Sequence, residues 1–330
     1  MNTVTMKWLL QREFWEHKGS MLWAPLIVAA LLVVLVGGTV AYGLAAHGMP
    51  MHVTVNGQTI TQGGLAAALS TASRLTVARI ATGMYLGAGT PLFGILSGVV
   101  FFYCVGALYN ERTDRSILFW KSLPVSDGMT VLSKAATATL VAPLITIALA
   151  TVASLALLLA ACIGFGLNGV NMLGAVLASP ELYLGPLRLV ALLPVYVAWA
   201  LPTVGWLLLV SSWARSKPLL WALGLPLIAL LVLKWMSATM ERFSGTPLGI
   251  MPLAQDVAAR ILGGTVPGIW LTHGRNLSVA VRPDGGGIDM NDVMAQSWAT
   301  LAGADAWIGV LLGAAMLFGA VRLRRWRDEG

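Results

Sequence analysis

The chain has 330 residues, 57% of them hydrophobic and only 11% charged, whereas a soluble globular domain carries about 25% charged residues. With a mean hydropathy of +0.79, this composition excludes an ordinary soluble enzyme and predicts an integral membrane protein. The formal net charge of +7 then reads as a signal of membrane topology, and no nucleic-acid partner is expected.

Residues 4–18, VTMKWLLQREFWEHK, predict an amphipathic helix lying in a membrane interface. Met6, Leu9, Leu10 and Phe14 follow helical spacing, with Trp8 and Trp15 flanking and Lys7, Gln11, Arg12 and Glu16 mostly on the other side. Six apolar runs follow, at about 22–46, 81–108, 135–163, 189–213, 218–236 and 303–321. Each approaches or exceeds the roughly 20 residues that cross a bilayer. Lipid leaves no backbone polar group solvated, so these continuously apolar runs are expected to be helices. The predicted fold is therefore an all-α membrane protein with six transmembrane helices in a single domain.

The connections have their own signals. Residues 47–80 are rich in Gly, Ser and Thr. Ser126 is placed to cap the third span, and Asp127 in its first turn suits the helix dipole. Pro143 sits inside that span, and Pro194, Pro202 and Pro226 fall in the fourth and fifth, where they mark possible kinks. Residues 237–302 form the largest polar piece. The apolar stretch within it is interrupted by Pro252, Gly263, Gly264, Pro267 and Gly268, which predicts short helices resting on the outer interface.

Lys and Arg orient the spans. With the N-terminus inside, the inner side holds Lys7, Arg12, Lys18, Arg112, Arg115, Lys121, Lys134, Arg215, Lys217, Arg322, Arg324, Arg325 and Arg327. The positive-inside rule then expects both termini in the cytoplasm. Cys104 and Cys162 fall at different depths, so no disulfide is expected between them.

Candidate chemistry is sparse. No Gly-Lys dipeptide occurs, so the chain has no phosphate-binding P-loop. The segment HGMPMH, with His47, Met49, Met51 and His52, offers imidazole and thioether donors of the kind that take copper, although Gly48 and Pro50 fit an ordinary turn as well. None of the six apolar cores contains a charged residue or His, and Lys134, Lys234 and Asp305 at their ends are expected to snorkel toward water. A central charge commonly marks an ion or proton path. Its absence leaves a domain that changes shape under an external driver.

The handle for such a driver is residues 110–134, NERTDRSILFWKSLPVSDGMTVLSK. Asn110 is placed to cap a short helix over roughly 111–122, and Pro124 enforces an extended Leu123 and a turn. Ile117-Leu118-Phe119-Trp120 is strongly apolar for a loop, and a helix this short is marginal alone. It needs a surface to pack on, which could be the protein itself, the headgroups or a partner.

Glu111-Arg112, Ser116, Ser122-Leu123-Pro124-Val125-Ser126 and Lys134 resemble, without a gap, the signature of ABC-2 type exporter permeases. That signature reads roughly E-R-x-x-G-T-L-E-x-x-x-S-x-P-V-S with a Gly-Lys eight residues on. Arg115 stands where Gly is usual and Leu118 where Glu is usual. The resemblance implies a multi-pass protein of the bacterial inner membrane that pairs with a second copy and with two ATPase subunits. ATP and Mg would be bound by those partners, and the chain would hold no cofactor and not be an enzyme by itself. Residues 110–124 would be a coupling helix docked on the ATPase through Glu111, Arg112, Arg115, Ser116, Phe119, Trp120, Lys121, Leu123 and Pro124. The N-terminal helix would be the connecting helix, and the large outer loop would help form an external gate. The competing expectations are a stand-alone scaffold or facilitative carrier, and a copper-handling membrane factor.

Overall fold

The computed structural model describes residues 3–47, 53–55, 58–60, 71–114, 125–167, 170–246, 249–272 and 290–326. Among these described residues, six helical stretches are long and apolar enough to cross a membrane: Gly19–Val40, Val77–Thr113, Asp127–Leu167, Pro180–Trp213, Pro218–Ser244 and Ala304–Trp326. The protein is thus a helical, multi-pass membrane protein. The spans fall where hydropathy puts them, but the second to the sixth run on beyond their apolar runs into polar sequence.

The helices in chain order are α1 (Thr3–Glu16), α2 (Ala24–His47), α3 (Thr71–Met84), α4 (Thr90–Ala107) and α5 (Tyr109–Thr113). They continue as α6 (Asp127–Ala136), α7 (Ala142–Leu167), α8 (Leu173–Leu177), α9 (Pro180–Ala191) and α10 (Leu193–Trp213). The last four are α11 (Pro218–Ser244), α12 (Met251–Gly263), α13 (Met290–Ala299) and α14 (Ala304–Trp326). A small exception to the all-α expectation follows α2, where β1 (Val53–Val55) pairs antiparallel with β2 (Gln58–Ile60), Val53 opposite Ile60.

Helix α10 is the central post. The buried share of its span is 61%, against 6% for the fifth span, α11, which lies at the periphery. The main core gathers Val195, Trp199, Val204 and Leu207 of α10 with Leu96 and Val100 of α4, Val131 of α6 and Ala320 of α14. Small residues let α14 touch α10 backbone to backbone. A Cβ on Gly313 would stand 2.7 Å from the Leu201 carbonyl carbon, and one on Gly205 would stand 2.6 Å from the Gly313 oxygen. Membrane helices gain association energy from such close contact because lipid gives them no hydrophobic drive to pair.

The prolines are absorbed locally. Pro143 removes a donor and crowds the carbonyl four residues back, and the turn just before it, Thr137–Val141, widens into a π-helix. Ser126 caps α6 as expected, its side chain accepting from the Met129 amide at 3.3 Å. Asn110, by contrast, is not a helix cap. α5 starts at Tyr109, almost continuous with α4, and Ser211 Oγ of α10 accepts the Leu108 and Tyr109 amides at 3.0 Å each.

The apolar stretch after the fifth span forms a helix, α12, as its sequence suggests. Helix α11 ends at Gly245, which takes φ 72° as its left-handed cap. The chain then doubles back, and α12 packs against α11 and α10. Its tip meets Thr203, the midpoint of α10. Thr203 Oγ1 accepts the Gly264 amide at 3.0 Å and donates to the Arg260 carbonyl at 2.6 Å. Thr265 pairs with Ser97 at 3.3 Å, and its carbonyl accepts from the Tyr196 hydroxyl at 3.3 Å. The breakers Gly263, Gly264, Pro267 and Gly268 make the bend of a hairpin that packs on α10. Gly264 is required there, because a Cβ would lie 2.4 Å from the Trp199 carbonyl oxygen. Arg260 returns along α12 to stack over Trp199 at 4.2 Å, and it donates to the Asp305 and Ala306 carbonyls in the first turn of α14.

Candidate functional site: a buried ionic junction

At the end of the bundle that carries α1, α5, the start of α6 and the end of α14, six charged side chains meet. Each is delivered by its helix geometry. On α1, Leu9 and Glu13 are spaced i, i+4 and both face the bundle, Glu13 with 0% exposure. On α6, Asp127, Val131 and Lys134 share one face at i, i+4 and i+7 spacing. On α14, Arg324 continues the inward stripe of Ala306, Gly309, Gly313 and Ala320. Glu111 comes from the middle of the short α5.

Lys134 is the hub. Its Nζ lies 2.9 Å from Glu13 Oε1 and 3.0 Å from Glu111 Oε1, with 1% of the side chain exposed. The other oxygen of Glu111 takes Arg324 Nη1 at 2.6 Å, and Arg324 Nε reaches Asp127 Oδ1 at 3.1 Å. Arg12 stands 3.6 Å from Glu111 and 3.3 Å from Glu16. The Tyr103 hydroxyl donates to Glu13 Oε2 at 2.8 Å, and its ring meets His17 edge-on at 4.8 Å. Three carboxylates, those of Glu13, Glu111 and Asp127, thus balance the three cations Arg12, Lys134 and Arg324. A buried charge is tolerable when its partners and hydrogen bonds are complete, and removing one member leaves an uncompensated charge.

Lys134 therefore does not snorkel to water. It has turned inward because two carboxylates wait for it there. Arg112 also turns inward, its Nη2 donating to the Ser211 carbonyl at 2.5 Å and the Ala214 carbonyl at 3.0 Å at the C-terminus of α10. Arg112 thus ties α5 to the central post.

Of the predicted coupling residues, the structure brings Glu111 and Arg112 to this junction. Arg115, Ser116, Phe119, Trp120, Lys121, Leu123 and Pro124 lie outside the described residues, as do Met49, Met51 and His52 of the HGMPMH segment; His47 is the last residue of α2. Among the described residues no group of three or more His, Cys, Asp or Glu is arranged to hold a metal ion. Cys104 and Cys162 are free, buried and in separate core clusters.

Sequence reasoning did not single out Glu13, Tyr103, Asp127 or Arg324 as site residues. The signal for Glu13 is its position one turn after Leu9 on the apolar side of α1, and for Arg324 its place one turn after Ala320 in the small-residue stripe. A cavity of about 10 Å³ lined by Leu108, Arg112, Ser212, Leu323 and Arg324 adjoins the junction. That is room for one water. Compared with known protein families, curated proteins and solved structures, the chain shows no match.

Proposed function

We propose that the chain is the membrane-spanning permease subunit of an ATP-driven ABC exporter, working with a second copy and with two separate ATPase subunits that bind ATP and Mg. Both termini and residues 110–124 face the cytoplasm, and the membrane is a bacterial inner membrane. The observation that carries this reading is that Glu111 and Lys134, which bracket the signature-like segment, meet at 3.0 Å. The same cluster includes Glu13 of α1 and Arg324 of α14. A loop whose two roots are locked together, and locked to the first and last helices, is mounted to pass a push into the bundle. A loop with independent roots would absorb that push. The exposed cations at this end agree with a cytoplasmic orientation.

The test is co-purification from the native membrane. A P-loop ATPase is expected to accompany the chain, and hydrolysis is expected only when it is present. Phe119→Ala with Trp120→Ala is expected to leave the permease folded while ATPase recovery and coupled transport fall. Truncated aromatic anchors at interface centres can each be worth about 2 kcal/mol or more. Arg282→Ala in the large loop is the control. Recovery of the chain without any ATPase, or full docking by the double aromatic variant, overturns the reading.

A further inference from the structure

The sequence places Met6, Leu9, Leu10 and Phe14 of α1 toward the bilayer, but the structure turns α1 differently. Leu9 is buried against the bundle together with Glu13, and Met6, Leu10 and Phe14 are half-buried. The stripe left facing outward is Val4, Lys7, Trp8, Gln11, Trp15 and Lys18, at the i, i+3, i+4, i+7, i+11, i+14 spacing of a single helix face. Trp8 is 64% and Trp15 57% exposed, and Lys18 Nζ sits 5.3 Å above the Trp15 ring. Trp and Lys interleaved on one face form the combination that sits at headgroup level: the indole is apolar with one donor, and the ammonium reaches phosphate.

The charge around this stripe is lopsided. Among the described residues at this end, Lys7, Lys18, Arg215, Lys217, Arg322 and Arg325 are exposed against Glu16 and Asp114 alone. Exposed indoles accompany them at Trp23, Trp213, Trp221 and Trp326. In the opposite half, exposed Arg79, Lys234 and Arg242 are matched by Glu241, Asp256 and Asp305. Among the described residues Lys7 and Lys18 make no ion pair, and the nearby Glu16 pairs with Arg12 at 3.3 Å.

We propose that the outward face of α1 is a docking surface for anionic phospholipid headgroups. Trp8 and Trp15 seat the helix at the interface, and Lys7 and Lys18 select for negative charge. Glu13, on the opposite side of the same helix, bonds Lys134, so lipid engagement of α1 sets the position of one arm of the ionic junction. The proposal stands independently of an ATPase partner.

The test uses the full chain in nanodiscs of an equal mixture of phosphatidylglycerol and phosphatidylcholine, with bound lipid read by native mass spectrometry. The wild type is expected to retain phosphatidylglycerol preferentially. Lys7→Gln with Lys18→Gln is expected to lose that preference by about fivefold per lysine, without altered thermal unfolding because both side chains are exposed. Arg79→Gln with Arg242→Gln in the opposite half is expected to keep it. In parallel, a spin label on Gln11→Cys, selective because both native cysteines are buried, is expected to report headgroup depth. No preference in the wild type, an unchanged preference in the lysine variant, or an equal loss in the Arg79/Arg242 variant overturns the proposal. So does a Gln11 label shielded from both lipid-soluble and water-soluble relaxers, since that would mean that protein covers the face.

Discussion

The C-terminal end and the midpoint of α10 hold their neighbours by different chemistry. Near Trp213 the Ser211 hydroxyl holds the Leu108 and Tyr109 amides, but charged groups dominate: the junction around Lys134 and Glu111, and the guanidinium of Arg112 on the Ser211 and Ala214 carbonyls. At the midpoint, where the α12 hairpin arrives, the attachments are neutral: Thr203, Ser97, Tyr196 and backbone groups of residues 260–265. The one charge there, Arg260, stacks on Trp199 and bonds carbonyls. Burial lowers its pKa and the nearby Asp305 opposes that shift; an arginine stays charged throughout. Full ion pairing is used where several chain ends bring opposite charges together, and hydroxyls are used where single helices meet at depth. The first arrangement is stiff and intolerant of loss. The second can be exchanged for other partners.

The largest expected effect tests the stiff side. Lys134→Met should leave Glu13 and Glu111 buried without their shared cation, which costs about 3–5 kcal/mol when a buried pair is broken. Thermal unfolding in detergent or nanodiscs should drop accordingly. Adding Glu13→Gln should restore part of the loss, because one stranded carboxylate is then neutral. An unchanged unfolding temperature for Lys134→Met would mean that the cation has another home and that the junction is not closed.

Next in size is Gly313→Leu, which asks whether the junction and the midpoint communicate through α14. The added side chain must push α14 away from Leu201 and Pro202, and overpacking typically costs about 1–3 kcal/mol. Because Arg324 ends the same stripe, the variant should also loosen the Arg324–Glu111 pair. A disulfide cross-link between cysteines placed at 324 and 111 should form more slowly in it than in its Gly313 parent. Equal cross-linking would separate the two regions. Arg112→Ala is expected to cost less, about 1 kcal/mol, as for a cation lost from a helix C-terminus. Its effect should persist at high salt, since the guanidinium is spent on carbonyls inside the bundle; a loss that salt abolishes would return Arg112 to a solvated rim.

This contrast also shows what the sequence could and could not disclose. The spans were legible because each is a long apolar run, and Ser126 was legible as a cap because capping is local. Glu111 and Lys134 could be singled out by a signature but not paired. Their companions lie far along the chain: Glu13 is 121 residues from Lys134 and Arg324 is 213 from Glu111. No local rule measures such a separation. Lys134 was misplaced for the same reason, since snorkelling is the expected choice for a lysine whose partners are unseen. At the α12 hairpin, Gly and Pro announce a bend without saying what it packs against. That is set by Gly264 fitting against Trp199 and by Thr203 waiting opposite, both tertiary facts.

The smallest expected effect decides the comparison. Thr203→Val keeps the shape of the side chain and removes both hydrogen bonds to the hairpin, the one it accepts from the Gly264 amide and the one it donates to the Arg260 carbonyl. Hydrogen bonds between membrane helices average about 0.6 kcal/mol and reach about 1.7 at most, because the separated helices also find partners. The Arg260 carbonyl retains its place in the helix, and the Gly264 amide also donates to the Arg260 carbonyl at 3.2 Å, so neither group is stranded. The variant should therefore unfold within a few degrees of the wild type. Hydrogen exchange at residues 260–265 should nevertheless rise, since the tip would be held by Ser97, Tyr196 and Arg260 alone. A loss as large as that of Lys134→Met would show that the midpoint is as rigid as the junction and that the hairpin is a fixed wall of the bundle.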